Sequence, residues 1–579
     1  MKTILCGINA KFIHTNLAIR QIKGYVEANS NYEISLLEFT INNYINEIFE
    51  EIYINKPDVI GFSCYLWNIE LVQKLIVLLK KLLPDIIIIL GGPEVSYSPI
   101  KILKENPCDF IICGEGEGAF CELLSEIAST KKYEMVKGIA YKSIVGEIIQ
   151  NDKSEFLDMS LLPFPYTDFH EIENKICYYE ASRGCPFKCA YCISSVENGV
   201  RFSPLEKVLS ELKIFLDENV RQVKFVDRTF NCNNAFAMSI IKFLIDNDNG
   251  VTNFHFEMAA ELLTDEIIAL LSLARRGLFQ LEIGVQSTNL ETLNAISRKS
   301  DFCWLSQCVK KLLVPQNVHL HLDLIAGLPL ENFESFKKSF DDVHSLSPHQ
   351  LQLGFLKILK GSRMESLCDE FEILHSPFPP FEFLKTHCLS FDEVIVLKSI
   401  EEMVEIYYNT NRYCHAVEFL RGYCESYFDL YLRLAEYKNK KGIGSLVHNK
   451  QFSYAFLIDF VADNFSEYVA QAFNSVLKLD FLLHEKPRSL PEWAKRVDNQ
   501  ISKDEIYDFI VKKDDSFISE LLPEYSDCQR KQLLKLVHVE MFSINPFTLE
   551  KSETTLLFNY RSRDLWNNAM AIQIELGLA

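Results

Sequence analysis

The chain has 579 residues, 48% of them hydrophobic and 24% charged, with a net charge of −20. That length gives about three or four globular domains with large cores, and the acidic balance excludes a broad electrostatic grip on nucleic acid while leaving room for a local basic site. No apolar run reaches the length of a membrane span, and the chain runs from Met1 straight into a strand without the layout of a signal peptide.

Residues 1–135 alternate apolar strands with amphipathic helices. The expected strands are Thr3–Ile8, Tyr32–Glu38, Val59–Ser63, Asp85–Leu90 and Phe110–Cys113. The expected helices are Leu17–Ala28, Ile41–Tyr53 and Ile69–Leu82. Fully apolar strands between such helices predict a parallel, doubly wound sheet, with ligands bound beyond the carboxyl ends of its strands. Residues 136–173 read as a short hairpin (Gly138–Gln150) and a linker carrying Pro163 and Pro165.

Residues 174–365 alternate again, with strands over Ile176–Ala181, Val223–Asp227, Asn253–Met258, Gln280–Val285, His319–Ile325 and Leu351–Ile358. Six such units predict a partial (β/α)6 TIM-like barrel with its site at the C-terminal strand ends. Residues 366–579 read as a mostly helical domain, with helices over Phe391–Tyr408, Ala416–Lys438 and Ser453–Lys478 and a short strand over Thr555–Tyr560.

After the first barrel strand comes Arg183-Gly184-Cys185-Pro186-Phe187-Lys188-Cys189-Ala190-Tyr191-Cys192. Three thiolates at this spacing can hold three irons of a [4Fe–4S] cube and leave the fourth open to a ligand. The alternatives are a structural zinc, which favours paired C-x2-C units, and a closed ferredoxin-type cluster. Cys368, Cys388, Cys414, Cys424 and Cys528 are far apart and read as buried small hydrophobes rather than a second cluster.

The C-x3-C-x2-C spacing with Tyr191 before the last cysteine resembles the radical S-adenosylmethionine (SAM) superfamily. Glu282-Ile283-Gly284-Val285-Gln286-Ser287, Arg298 twelve residues after Gln286, and Asp323-Leu324-Ile325-Ala326-Gly327-Leu328-Pro329 are similar to signatures of its coproporphyrinogen-dehydrogenase-like group. The resemblance implies that Cys185, Cys189 and Cys192 ligate a [4Fe–4S] cluster whose open iron binds SAM. It implies that Tyr191, Glu257, Gln286, Arg298 and Asp323 form the SAM site, an arginine pairing the carboxylate and carboxylates accepting from ribose or ammonium. Where many members have a Gly-Gly-Glu-like turn, this chain has Asp227-Arg228-Thr229-Phe230, so Asp227 is expected to take the SAM amine.

In the N-terminal sheet, Ser63-Cys64-Tyr65, Gly91-Gly92 and Gly114-Glu115 resemble the strand-end signatures of cobalamin-binding Rossmann domains, where glycine admits close backbone approach. The histidine motif that ligates the cobalamin lower face is missing from its place, Asn9 to Asn16, and His14 is out of register. The resemblance therefore implies a cobalamin without a histidine on that face.

The order of parts is similar to the B12-binding radical SAM family, in a subgroup with a C-terminal domain of unknown function of the DUF4080 kind. It implies a C-methyltransferase acting on an unactivated carbon through a 5′-deoxyadenosyl radical and methylcobalamin. The alternative is a radical SAM enzyme for rearrangement, cyclisation or carbon–carbon coupling, with or without bound cobalamin; a non-catalytic cobalamin or redox module is the third option. The expected setting is cytoplasmic and anaerobic. An electron donor such as flavodoxin or ferredoxin is the expected partner, and the substrate (small molecule, lipid or peptide) is unspecified.

Overall fold

The computed structural model describes every residue except 144, 197–198, 445–449, 496–521, 523–529, 565–566 and 575–579, so Cys528 lies outside the described residues. Two compact units emerge, 1–336 with 354–391 and 337–353 with 392–579.

The first unit holds one sheet and five strands of a second. Strands β1 (Thr3–Asn9), β2 (Ile34–Thr40), β3 (Val59–Ser63), β4 (Ile87–Gly91), β5 (Phe110–Ile112), β6 (Ile139–Lys142) and β7 (Ile148–Gln150) form one sheet in the order β2-β1-β3-β4-β5-β6-β7. The first five are parallel, as expected from strands apolar on both sides. Alternate residues serve different cores: Ile4, Cys6, Ile60, Phe62, Ile88 and Leu90 pack on one face, and Leu5, Val59 and Ile89 on the other. The expected hairpin extends this sheet, β6 pairing antiparallel with β5 and β7 antiparallel with β6, because Ile139, Ala140 and Tyr141 have apolar partners to bury against there. Helix Ile69–Leu82 follows its pattern, burying Ile69, Val72, Leu75, Ile76 and Leu79.

The second sheet comes from β8 (Ile176–Tyr179), a hairpin of β9 (Ser182–Gly184) and β10 (Val200–Phe202), then β11 (Gln222–Phe225), β12 (Asn253–Met258), β13 (Phe279–Gln286), β14 (His319–Ala326) and β15 (Gln350–Phe355). Its order is β15-β14-β13-β12-β11-β8, with β9 and β10 paired separately. Neighbours from β8 through β14 are parallel, the open half-barrel predicted from the sequence. Val223, Phe225, Phe254, Phe256, Leu281, Ile283, Leu320 and Leu322 are buried on one face. The alternate positions on the other face are polar: Lys224, His255, Glu257, Glu282, His321 and Asp323. Strands β16 (Leu374–His375) and β17 (Phe383–Lys385) make a small ribbon beyond.

In the second unit the two long helices expected from periodicity are each broken. Cys414–Arg421 and Tyr427–Lys440 separate at Gly422, and Ser426 caps the second by accepting from the Asp429 N–H at 3.2 Å. Lys450–Asn464 and Glu467–His484 separate similarly at Ser466. The single expected strand is the centre of an antiparallel sheet of β18 (Val537–Phe542), β19 (Thr554–Arg563) and β20 (Ala569–Ile574). Leu479, Leu482 and Leu483 of helix Glu467–His484 pack against Phe542, Leu556 and Phe558 of that sheet.

Candidate functional site

The cysteine loop is held at several points. Gly184 has φ +99°, and a Cβ there would stand 2.2 Å from the Gly199 carbonyl oxygen, so the β9–β10 pair requires glycine just before Cys185. The Ala190 N–H donates to the Ile296 carbonyl at 2.8 Å, and the Met364 N–H donates to the Ala190 carbonyl at 2.8 Å. Thr229 Oγ1 lies 3.5 Å from Cys185 Sγ. Cys185 and Cys189 are buried, Cys192 is half-buried, and all three line one cavity of about 220 Å³. That space is several times the ~30 Å³ share of a water molecule, so it has room for more than a single solvent molecule. Among the described residues no three His, Cys, Asp or Glu side chains converge on a single ion.

The same cavity is lined by Tyr191, Glu257, Gln286, Arg298 and Asp323, side chains singled out from the sequence. Arg298 donates through Nη2 to the Gly284 carbonyl and through Nη1 to Tyr191 Oη at 3.4 Å and Cys189 Sγ at 3.7 Å. Gln286 has φ +70°, left-handed for a residue other than glycine. A Cβ on Gly284 would meet its Nε2 at 2.1 Å, so that glycine lets Gln286 fold back. Gln286 Oε1, Arg298 Nε, Asp323 Oδ1 and Glu261 Oε1 are buried without a partner. Burial, then the Glu282 charge, raises the Glu257 carboxyl above its ordinary range, and burial with Glu282 and Glu257 raises Asp323 well above it. These four unpartnered atoms are open to a polar ligand.

Beside the cavity the half-barrel carries a polar layer that the sequence reading did not single out. Glu282 accepts from Lys224 Nζ at 3.1 Å and pairs with His255 Nε2 at 2.9 Å. Although burial opposes it, the His255 hydrogen bond and the Lys224 charge bring Glu282 down to about 2. His321 Nε2 lies 2.7 Å from Gln280 Nε2 and 2.9 Å from His319 Nδ1. Burial lowers His321 to about 3 and His319 to about 4.

Asp227 is not on the cavity wall. Its carboxyl faces inward, taking the Ala181 N–H at 3.0 Å and the Ser182 hydroxyl at 2.5 Å, because the turn after β11 places it under the start of the cysteine loop. The neighbour that does line the cavity is Arg228. Asn231 then bridges to the turn after β12, donating to the Ala259 carbonyl at 2.8 Å and accepting from its N–H at 2.9 Å.

At the strand ends of the first sheet, Ser63 Oγ accepts from Asn16 Nδ2 at 3.0 Å. The Cys64 thiol is fully buried and turned to the Phe62 carbonyl, so its side chain is core rather than cofactor contact. Tyr65 stacks on the half-exposed Trp67 with centroids 4.6 Å apart. Gly91 accepts from the Cys64 N–H at 2.7 Å. Gly92, at φ +112°, would bring a Cβ to 2.5 Å from the Cys64 carbonyl, so close packing of two loops demands it. Gly114, at φ +94°, has nothing within 4 Å of its missing Cβ and borders open space. Glu115 was expected at the cofactor; its carboxylate instead pairs with Arg201 and accepts from the Leu157 N–H at 2.9 Å. His14 Nδ1 is bonded to Tyr178 Oη at 2.8 Å, away from any ligand register.

Family models match in chain order: B12 binding domain over residues 4–124, Radical SAM superfamily over 179–343, and Protein of unknown function (DUF4080) over 369–558. The chain is a B12-binding radical SAM protein with a DUF4080 tail. The 2-(S-pantetheinyl)-carbapenam-3-carboxylate methyltransferase of Streptantibioticus cattleyicolor is 27% identical over 51% of this chain and 46% of its own length. The cobalamin-dependent radical SAM methyltransferase TokK of Streptomyces tokunonensis is 24% identical over 52% of this chain and 47% of its own. The chain thus spans about half the length of these curated relatives. Its fold matches that of OxsB, a cobalamin-dependent SAM radical enzyme solved with aqua-cobalamin, at TM-score 0.60, 15% identity and coverage of 83% and 79% of the two chains. The radical SAM methyltransferase TsrM of Kitasatospora setae, solved with tryptophan and a SAM analogue, matches at TM-score 0.55, 15% identity and coverage of 66% and 80%. Among the described residues no helix is long and apolar enough to cross a membrane.

Proposed function

We propose that this B12-binding radical SAM protein is a cobalamin-dependent methyltransferase acting on an unactivated carbon. The observation that carries the reading is the single cavity shared by three cysteine thiols and by the unpartnered atoms of Gln286, Arg298 and Asp323. The residues fit the groups. Three thiols suit a [4Fe–4S] cluster with one open iron, and a zwitterionic nucleoside supplies what the unpartnered lining atoms lack: a carboxylate for Arg298, hydroxyls and an ammonium for the carboxyls. On the other half, the open space at Gly114 and the half-exposed Trp67 stacked on Tyr65 fit a flat macrocycle at the carboxyl ends of a parallel sheet.

Bound there, the cluster with SAM supplies a hydrogen-abstracting radical and the cobalamin supplies a methyl group. The chain's own work is positional. Cys185, Cys189 and Cys192 fix the cluster; Arg298 and Tyr191 border it and hold the SAM carboxylate end. Glu257 and Asp323 are held toward the neutral form and serve as hydrogen-bond partners for hydroxyls. A low-potential flavodoxin or ferredoxin would deliver the electron, in a reducing cytoplasmic setting that the free thiols of the described cysteines favour.

The test is anaerobic purification with hydroxocobalamin, absorption spectroscopy, and product analysis after SAM is added with a reductant. Methyl transfer yields both S-adenosylhomocysteine and 5′-deoxyadenosine. 5′-Deoxyadenosine alone would replace methylation with rearrangement, cyclisation or coupling, and neither product would end the reading.

A further inference from the structure

Arg183 sits two residues before Cys185, on the first strand of the hairpin that opens the cysteine loop. Its guanidinium is almost entirely enclosed by acceptors. Nε donates to Glu180 Oε2 at 2.9 Å and Nη2 to Gln21 Oε1 at 3.2 Å; Nη2 also pairs with Glu117, and Nη1 lies 3.5 Å from Glu115 Oε2. Arg201, on the second strand of the same hairpin, pairs with Glu115 and donates to the Leu157 carbonyl at 2.7 Å. Glu115 and Glu117 both belong to the loop that ends β5 and starts helix Glu117–Ala128, and Gln21 belongs to helix Leu17–Asn29. Both strands of the hairpin are therefore gripped by the B12-binding half. The side chains of Arg183 and Glu117 are only 13% and 6% exposed. A forked, charge-assisted contact at that depth fixes orientation, and losing one partner strands a buried charge.

We propose that Arg183 is a positioning residue that locks the cluster loop to the Gly114–Glu117 loop of the B12-binding half, so that the two cofactor sites keep one spacing. The role in chemistry rests on the cofactor reading above; the lock itself is a property of the chain. An ion pair that served only overall stability would loosen the molecule generally when broken. A lock predicts that a change in one half is felt at a defined loop in the other.

The experiment is amide hydrogen exchange on the full chain, purified without oxygen. Glu117→Gln keeps size and removes charge; it is expected to speed exchange across residues 182–192 about tenfold while helix Leu205–Asp217 is unchanged. Arg183→Lys keeps charge but loses the fork, and is expected to speed both 114–118 and 182–192. The double variant should add little to either single one, the signature of a direct coupling. Wild-type exchange across 182–192 in Glu117→Gln, or simple additivity of the two changes, would overturn the proposal. Hydroxocobalamin uptake by the unaltered chain is measured separately. A chain that takes up none sinks the cofactor reading, and the exchange result still decides on the lock.

Discussion

Asp227 accepts from the backbone N–H of Ala181 at 3.0 Å beneath the cysteine loop, fixing the chain just past β8 where that loop begins. Burial raises this carboxyl from its ordinary 3.8 to about 7, although the Ser182 and Ala181 hydrogen bonds pull the other way. Between those values the folded chain keeps a proton that the unfolded chain has released. The stabilisation is therefore complete below the unfolded value and is lost as pH rises through the folded one, an effect on the order of a few kcal/mol. Asp227→Asn should flatten the fall of the urea midpoint between pH 5 and pH 8. An unchanged slope in the variant would assign the pH dependence to other groups.

Replacing any one of Cys185, Cys189 and Cys192 by serine should drop reconstituted iron from about four per chain to about one or less, and SAM cleavage to background. Cys368→Ser should leave both unchanged, because that thiol is half-buried and turned to the Met364 carbonyl. Iron and sulfide analysis, with electron paramagnetic resonance of the reduced protein, checks this. Retention of a full cluster in the Cys192 variant would remove that residue from the ligand set.

Arg298 touches the Gly284 carbonyl, Tyr191 and Cys189 with one planar group. Lysine offers a point charge and cannot span those directions. Arg298→Lys should raise the SAM concentration needed for half-maximal 5′-deoxyadenosine formation roughly ten- to a hundredfold, the loss of about 1.5–3 kcal/mol for hydrogen bonds to a charged group. Iron content should stay at the wild-type level. A lost cluster with normal SAM dependence would mean that Arg298 supports the loop and not the ligand.

Much of this was legible in the residues because it lies in local patterns. Aliphatic runs such as Ile87–Leu90 need cover on both faces and so specify a buried parallel strand. The cysteine spacing and the strand-end Gln286 and Asp323 are local signals too, and the cavity gathers them. What escaped depends on partners distant in sequence. Gly114-Glu115 reads as a cofactor loop, yet the charge of Glu115 goes to Arg201 and that of the nearby Glu117 to Arg183, on a hairpin that no periodicity announced. Asp227 could be placed at a strand end, but the direction of its carboxyl depends on where Ala181 lies. The polar barrel layer did leave a trace: His319, His321 and Asp323 alternate with Leu320 and Leu322, whereas a filled barrel interior is apolar on both sides of its strands.

Gly92 and Gly114 read alike in the sequence, and the structure separates them. A Cβ at Gly92 would lie 2.5 Å from the Cys64 carbonyl oxygen with φ at +112°, so alanine there must displace backbone. Gly92→Ala should destabilise the chain by roughly 2–4 kcal/mol, combining overpacking and the left-handed penalty. At Gly114 the same methyl meets nothing within 4 Å, and only the φ of +94° opposes it. Gly114→Ala should cost about 1–2 kcal/mol while weakening hydroxocobalamin uptake at least about tenfold, since the methyl would occupy the space assigned to the macrocycle. Urea unfolding and corrin absorbance after gel filtration measure the two effects independently. If Gly114→Ala binds hydroxocobalamin as the natural chain does, that loop is not the cobalamin contact, and the cofactor must approach through the Tyr65–Trp67 side alone.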